Sequence, residues 1–137
     1  MKPLSLVIIM LLIFNGCAFK KPIVNQDDAA IRERVNALWT AKKEKQWENV
    51  YGYYCDAFKQ KKSKDDFIKS SNLEVNNFSI VSVEPWNNFK GAEVLISFES
   101  KTFGIDMKNI QIRETWAKEG RQWYACPSGS GAKSLFE

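Results

Sequence analysis

The sequence contains no histidine. That absence excludes Ser-His and Cys-His nucleophile systems, Asp-His pairs and histidine-ligated metal centres. There is no glycine-rich phosphate-binding loop, and no other cofactor or metal motif stands out. The chain also lacks any apolar run approaching the roughly 20 residues that a helix needs to cross a bilayer. Charge is mixed and nearly balanced, with 20 basic and 16 acidic residues and a formal net charge of +4, so it selects no particular partner. With only three cysteines, a densely stapled disulfide scaffold is excluded.

What is present is a globular composition. Of 137 residues, 45% are hydrophobic and 13% aromatic, enough for one domain with its own core. Lys2 and the stretch Leu4 to Phe14, apolar except for Ser5, have the form of the charged and hydrophobic regions of a secretory signal. They are followed by Asn15-Gly16-Cys17. Phe14-Asn15-Gly16-Cys17 resembles the lipobox of bacterial lipoproteins, with Phe14 where leucine is usual. The resemblance implies a signal peptide over 1–16, acylation of Cys17 as the mature N-terminus, and attachment to a membrane by lipid. Two or more acyl chains suffice for stable anchoring, at about 0.8 kcal/mol per buried CH₂. Ala18, in place of the aspartate that retains many such proteins in the inner membrane, points to the periplasmic side of an outer membrane. The competing readings are an ordinary signal with an incidental cysteine and an uncleaved anchor. Cleavage takes one lysine from the net +4 and leaves +3.

With Cys17 assigned to lipid, Cys55 and Cys126 remain. In an oxidising compartment they can form a disulfide; the alternative is two buried thiols. Residues 17–26 read as a tether, 27–126 as the folded domain, and 127–137, which opens Pro127-Ser128-Gly129-Ser130-Gly131, as a tail.

Within the domain the hydrophobic period changes once. Ile31, Val35, Leu38 and Trp39 fall on one face of a helix capped by Asp27 or Asp28, with Arg32, Glu33, Lys42 and Lys43 assigned to its exposed side. Trp47, Val50, Tyr51 and Tyr54 mark a second helix, weakened by Gly52. Ser63-Lys64-Asp65-Asp66 is a capping-box pattern that opens a third. Lys59, Lys61, Lys62 and Lys64 read as a solvated loop, not a nucleic-acid site. From Leu73 the period is two. Phe78, Ile80 and Ser82 alternate with Ser79, Val81 and Val83; Val94, Ile96 and Phe98 share a face; and Ile110, Ile112, Glu114 and Trp116 share another. Turns are expected at 85–90, at 104–106 and at Glu119-Gly120.

This order of helices followed by at least four antiparallel strands is an α+β pattern. With Trp47 and Tyr51 in the second helix and Trp116 and Trp123 flanking the last hairpin, residues 27–126 resemble the nuclear transport factor 2-like, cystatin-like superfamily. The resemblance implies a curved sheet wrapped around the helices as a cone, whose mouth is either open to a ligand or plugged by side chains. It also implies a possible homodimer through the exposed sheet face.

That superfamily includes isomerases, cyclases and dehydratases as well as binding proteins, so residues must decide. An isomerase-like reaction needs a carboxylate base and a tyrosine hydroxyl in one apolar cone. Tyr51, Tyr53 or Tyr54 can supply the hydroxyl and Glu93, Glu99 or Glu114 the base. Glu114 is the best placed, through its face with Ile110, Ile112 and Trp116; the alternative is an outward Glu114 paired with a cation. The leading expectation is a lipid-anchored envelope protein that binds a protein partner or a small apolar ligand without catalysis or a cofactor. The alternative is a small-molecule enzyme using the cone.

Overall fold

A computed structural model describes residues 25–127. Cys17, the signal segment and the tail from residue 128 lie outside the described residues. Four helices precede four strands: α1 (Gln26–Lys43), α2 (Trp47–Gly52), α3 (Asp56–Lys61), α4 (Lys64–Ser70), β1 (Asn77–Trp86), β2 (Gly91–Thr102), β3 (Ile105–Glu119) and β4 (Gln122–Ala125). The strands form one antiparallel sheet in the order β1-β2-β3-β4. The protein is therefore α+β, helices first and sheet second.

The cap of α1 is Asn25, whose side chain accepts the Asp27 N–H. Asp27 and Asp28 occupy the first turn instead, where carboxylates favour the helix dipole. Ile31, Val35, Leu38 and Trp39 are fully buried. They pack the helix onto the inner face of the sheet, where Trp39 lies 5.9 Å from Phe78 and 5.1 Å from Phe98 between ring centroids. The expected inner row of β2 is buried throughout, as Ala92, Val94, Ile96 and Phe98.

β1 departs from simple alternation. Ile80 faces Ile96 but Ser82 faces Leu95, so Val81 is an extra residue with no partner. This bulge turns Val81 outward and brings Val83, not Ser82, to the core side with Phe78 and Ile80. A one-residue insertion reverses every later side chain, which a strict period of two cannot anticipate. The following turn is also shorter than expected. Pro85 and Trp86 still pair with Ala92 and Gly91, and Asn87, Asn88 and Phe89 reverse the chain with φ of 50°, 53° and 61°. Asparagine tolerates that left-handed region; phenylalanine does so only because its ring packs against the core. Gly91 is required opposite Trp86, because a Cβ there would lie 2.5 Å from the indole.

The second helix stops at Gly52, before Tyr54. Tyr54 instead makes a parallel bridge with Ala125: the Cys55 N–H donates to Ala125 C=O and the Ala125 N–H to Tyr53 C=O, both at 2.9 Å. The lysine-rich stretch expected as a loop is mostly helical: Lys59 and Lys61 lie in α3 and Lys64 opens α4, with Lys62 extended between them, and Phe58 of α3 packs 6.0 Å from Phe67 of α4 between ring centroids. Ser63 caps α4 by accepting the Asp66 N–H, as the capping box requires.

Cys55 and Cys126 are joined by a disulfide, with Cα atoms 5.4 Å apart and a sequence separation of 71. It ties the start of α3 to the end of β4. Closing a loop of that length removes denatured-state entropy worth about 4 kcal/mol in the chain-entropy model. Replacing both cysteines with alanine should therefore lower the unfolding free energy by about 2–4 kcal/mol, read as a lower urea midpoint with a slope that is equal or steeper because the denatured chain is less constrained. An unchanged midpoint would show that the bridge constrains nothing.

Candidate functional site

One strand pairing defines where a site can form. β4 covers β3 only from Trp116 to Glu119, and the Cys126 N–H adds a last bond to Thr115 C=O at 2.7 Å. Beyond it, residues 111–113 of β3 have no strand partner on that side among the described residues. Against this open edge lies a cleft of about 780 Å³. Its opposite wall is aromatic. Tyr54 stacks within 4.5 Å of Phe58 and 5.4 Å of Phe67, ring centroid to centroid, with Leu73 beyond and Pro127 at the end.

Glu114 reaches the cleft from the sheet and does point inward, as its shared face with Ile112 and Trp116 implies. Three donors meet it. The Lys42 ammonium donates to Oε1 at 2.9 Å, and the indole N–H groups of Trp39 and Trp116 both donate to Oε2 at 3.2 Å. The ion pair is nearly dry, with side-chain exposures of 9% for Lys42 and 11% for Glu114. Lys42 also lies over the Trp39 ring, 4.1 Å from its centroid.

Lys42 overturns its expected place on the exposed face of the first helix. The signal was in the spacing: position 42 follows 35, 38 and 39 by seven, four and three, so it continues the buried row. Its positive charge hid that geometry. Burial alone would lower the Lys42 pKa, but the adjacent Glu114 carboxylate, the Tyr54 phenol and the hydrogen bond to Glu114 outweigh it and raise the value above 10.5. Tyr54 is raised above 10.0, chiefly by burial, with Lys42 pulling the other way and Glu114 adding to the rise. At neutral pH Lys42 is therefore an ammonium and Tyr54 a neutral phenol.

The other candidates separate. Tyr51 donates its hydroxyl to Lys62 C=O at 2.8 Å, and Tyr53 lies under the Arg34 guanidinium, 4.3 Å from its carbon to the ring centroid. Glu93 pairs with Arg113 on the outer face of the sheet. Glu99 faces Asn77 across that same outer side. Only Glu114 and Tyr54 of the carboxylate and hydroxyl candidates line the cleft. A substrate proton would have to reach a carboxylate whose two oxygens each already carry a donor from the protein. Tyr54 is differently placed, since it lines the cleft and its hydroxyl makes no hydrogen bond among the described residues.

Among the described residues, one cluster could hold a metal ion by proximity: Cys55, Cys126 and Glu119. The sulfurs are already consumed by the disulfide.

No family model matches the sequence, and no curated protein matches it. Among solved structures the fold is similar to that of a protein from Psychrobacter arcticus described as containing a SEC-C motif, with a TM-score of 0.59 at 13% identity. The match covers 77% of this chain and 63% of that one, so this chain spans less than two thirds of its length. At that identity the likeness concerns the fold alone.

Removing one partner of the dry pair should be costly. Glu114→Leu leaves a buried ammonium and two unpaired indole N–H groups, and should lower stability by about 3–5 kcal/mol. Lys42→Met, which keeps the stem and removes the charge, should cost less than Glu114→Leu, and chemical denaturation distinguishes the two. The pH dependence has a definite sign. Groups whose folded pKa is raised contribute stability that is complete below their unfolded values and lost as pH rises through the folded ones. Here the loss should begin near pH 10 and continue above 10.5. Thermal unfolding followed from pH 7 to 12 should show a decline confined to that alkaline range, reduced in Tyr54→Phe.

Proposed function

We propose that the protein is a bacterial lipoprotein of the envelope, anchored through Cys17, whose domain is a nuclear transport factor 2-like cone that binds a small, largely apolar molecule without transforming it. The observation that carries the binding reading is the state of Glu114. The one carboxylate in the cleft is held by Lys42, Trp39 and Trp116, so it fixes α1 to β3 and is occupied as an acceptor. A large cleft remains beside it, with aromatic walls and a single phenol able to give direction to a bound molecule. The anchor is supported by the lipobox-like Phe14-Asn15-Gly16-Cys17. It is compatible with the absence, among the described residues, of any helix long and apolar enough to cross a membrane.

A second reading, a small-molecule isomerase, cyclase or dehydratase, is favoured by one observation. Tyr54 and Glu114 do share a cleft and are electrostatically linked through Lys42. Such an enzyme would need the ligand to displace Lys42 or an indole from the carboxylate.

Two measurements test the proposal. The intact mass of protein extracted from its native membrane should correspond to a chain starting at Cys17 with a diacylglyceryl and an acyl group, and Cys17→Ser should lose both. Anilinonaphthalene sulfonate, a fluorescent probe with apolar rings and one anionic sulfonate, should bind with one-to-one saturation, weakened about tenfold or more by Asn72→Trp at the exposed rim of the cleft. An unmodified mass would reject the anchor. Probe binding unaffected by Asn72→Trp would reject the cleft.

A further inference from the structure

The last partner of β1 on β2 is Glu99, which faces Asn77. Beyond it β2 and β3 continue alone as a ribbon, pairing Ser100 with Met107, Lys101 with Asp106 and Thr102 with Ile105. Phe103 and Gly104 close it, with φ of 51° and 78°. Two successive positive φ values are the requirement of a type I′ turn, for which Asn-Gly is the favoured pair. Phenylalanine at the first position is opposed twice. Its bulk disfavours the left-handed region, and its ring is 99% exposed, next to Ile105 at 67% and Met107 at 39%. Phe103 is uncovered and Ile105 two-thirds exposed, so the fold gains little from their being apolar, while Met107 beside them is partly covered.

We propose that this hairpin tip is a lipid-bilayer contact, with Phe103, Ile105 and Met107 entering the boundary between headgroups and acyl chains. The area and shape favour lipid over a protein partner. Taking about 200 Å² for a fully exposed large side chain, the three expose roughly 400 Å², about half of what one side of a stable protein interface buries. The rest of the ribbon is polar. A narrow convex tip needs a matching pocket in a protein, whereas a bilayer has no shape to match. Only side chains at the turn need enter, so the ribbon's outer N–H and C=O groups stay hydrated. Lys101 lies 4.0 Å from Asp106 and offsets it, leaving Lys108 as the charge at the ribbon's tip without an ion-pair partner among the described residues. Anionic lipid should therefore strengthen the contact only about fivefold.

The tip is also far from the start of the domain. Asp27, in the first turn of α1, contacts Lys118 near the other end of β3, and 13 residues of strand separate Lys118 from Ile105, about 40 Å. Together with a lipid on Cys17, which rests on the proposed anchor, a second contact at the tip would lay the sheet along the membrane surface.

The tip can be tested without the anchor. The full chain carrying Cys17→Ser is held on phosphatidylcholine vesicles by a C-terminal hexahistidine and a nickel-chelating lipid. The natural sequence has no histidine to compete. Phe103→Cys then supplies the one free thiol, Cys55 and Cys126 being bonded, and takes an environment-sensitive nitrobenzoxadiazole label. Gln60→Cys, exposed on α3, is the control. Quenching by shallow nitroxide lipids should be at least about twofold greater at 103 than at 60. In a second pair labelled through Met107→Cys, adding Phe103→Asn, which suits the turn, should reduce quenching to the control level with the far-ultraviolet circular dichroism unchanged. Equal quenching at 103 and 60 would overturn the proposal. So would a blue-shifted label at 103 that lipid does not quench, which would assign the tip to a second copy of the chain. Neither result bears on the anchor, which the intact mass decides separately.

Discussion

The Lys42–Glu114 pair, closed by the indole N–H groups of Trp39 and Trp116, joins the first helix to the long third strand at the centre of the molecule. Two charges out of water are expensive, and their mutual attraction repays that cost only where geometry and further hydrogen bonds are good. Here both carboxylate oxygens have donors and the ammonium has a carboxylate and an aromatic face. The arrangement works only in one registry. Sliding α1 by one residue would take both Lys42 and the Trp39 indole away from Glu114, leaving only Trp116 on the carboxylate. The pair thus acts as a positional pin, and the apolar contacts of Ile31, Val35 and Leu38 can be permissive about shape because it is not.

The same pin shapes the cleft. By drawing Lys42 and Glu114 into contact, it pairs two of the charges that line the cleft, while Tyr54, Phe58 and Phe67 make its wall aromatic. Tyr54 reaches this wall because the chain after α2 is extended and bridged to Ala125, a bridge that the neighbouring Cys55–Cys126 bond reinforces. Disulfide, bridge and early end of β4 together leave β3 open over residues 111–113. An accessible space with a polar group at one end and aromatic rings along its side is the usual form of a small-molecule site.

Much of this was legible in residue patterns, and the failures have identifiable causes. The α1 row, the inner face of β2, the inward side of Glu114 and the cap at Ser63 each follow from a local period or capping rule that tertiary packing leaves intact. Lys42 escapes the local pattern because its charge points to solvent while its spacing points to the core. Its spacing matches Leu38 and Trp39, and only the approach of Glu114 from a residue 72 positions away makes burial affordable. The outer half of β1 was misplaced because the bulge at Val81 shifts parity, and a bulge has no signature in a run of β-branched residues. Helix α3 is hard to read locally because it is only six residues long and holds one large apolar side chain, Phe58, whose partners Tyr54 and Phe67 lie outside it.

By itself the sequence determined the α+β order of elements, the absence of histidine chemistry and most of the core, because these depend on composition and on short-range periodicity. It also singled out Glu114 and offered Tyr54 alongside Tyr51 and Tyr53. What only the tertiary structure decided is what Glu114 and Tyr54 are to each other: a carboxylate held by the fold and a phenol left facing a cleft. That distinction depends on contacts between residues more than 50 positions apart, and no local pattern encodes which donor reaches which oxygen. The exposed, left-handed Phe103 belongs to the same class, since a phenylalanine between polar neighbours reads as ordinary until the backbone shows what it costs to keep it there.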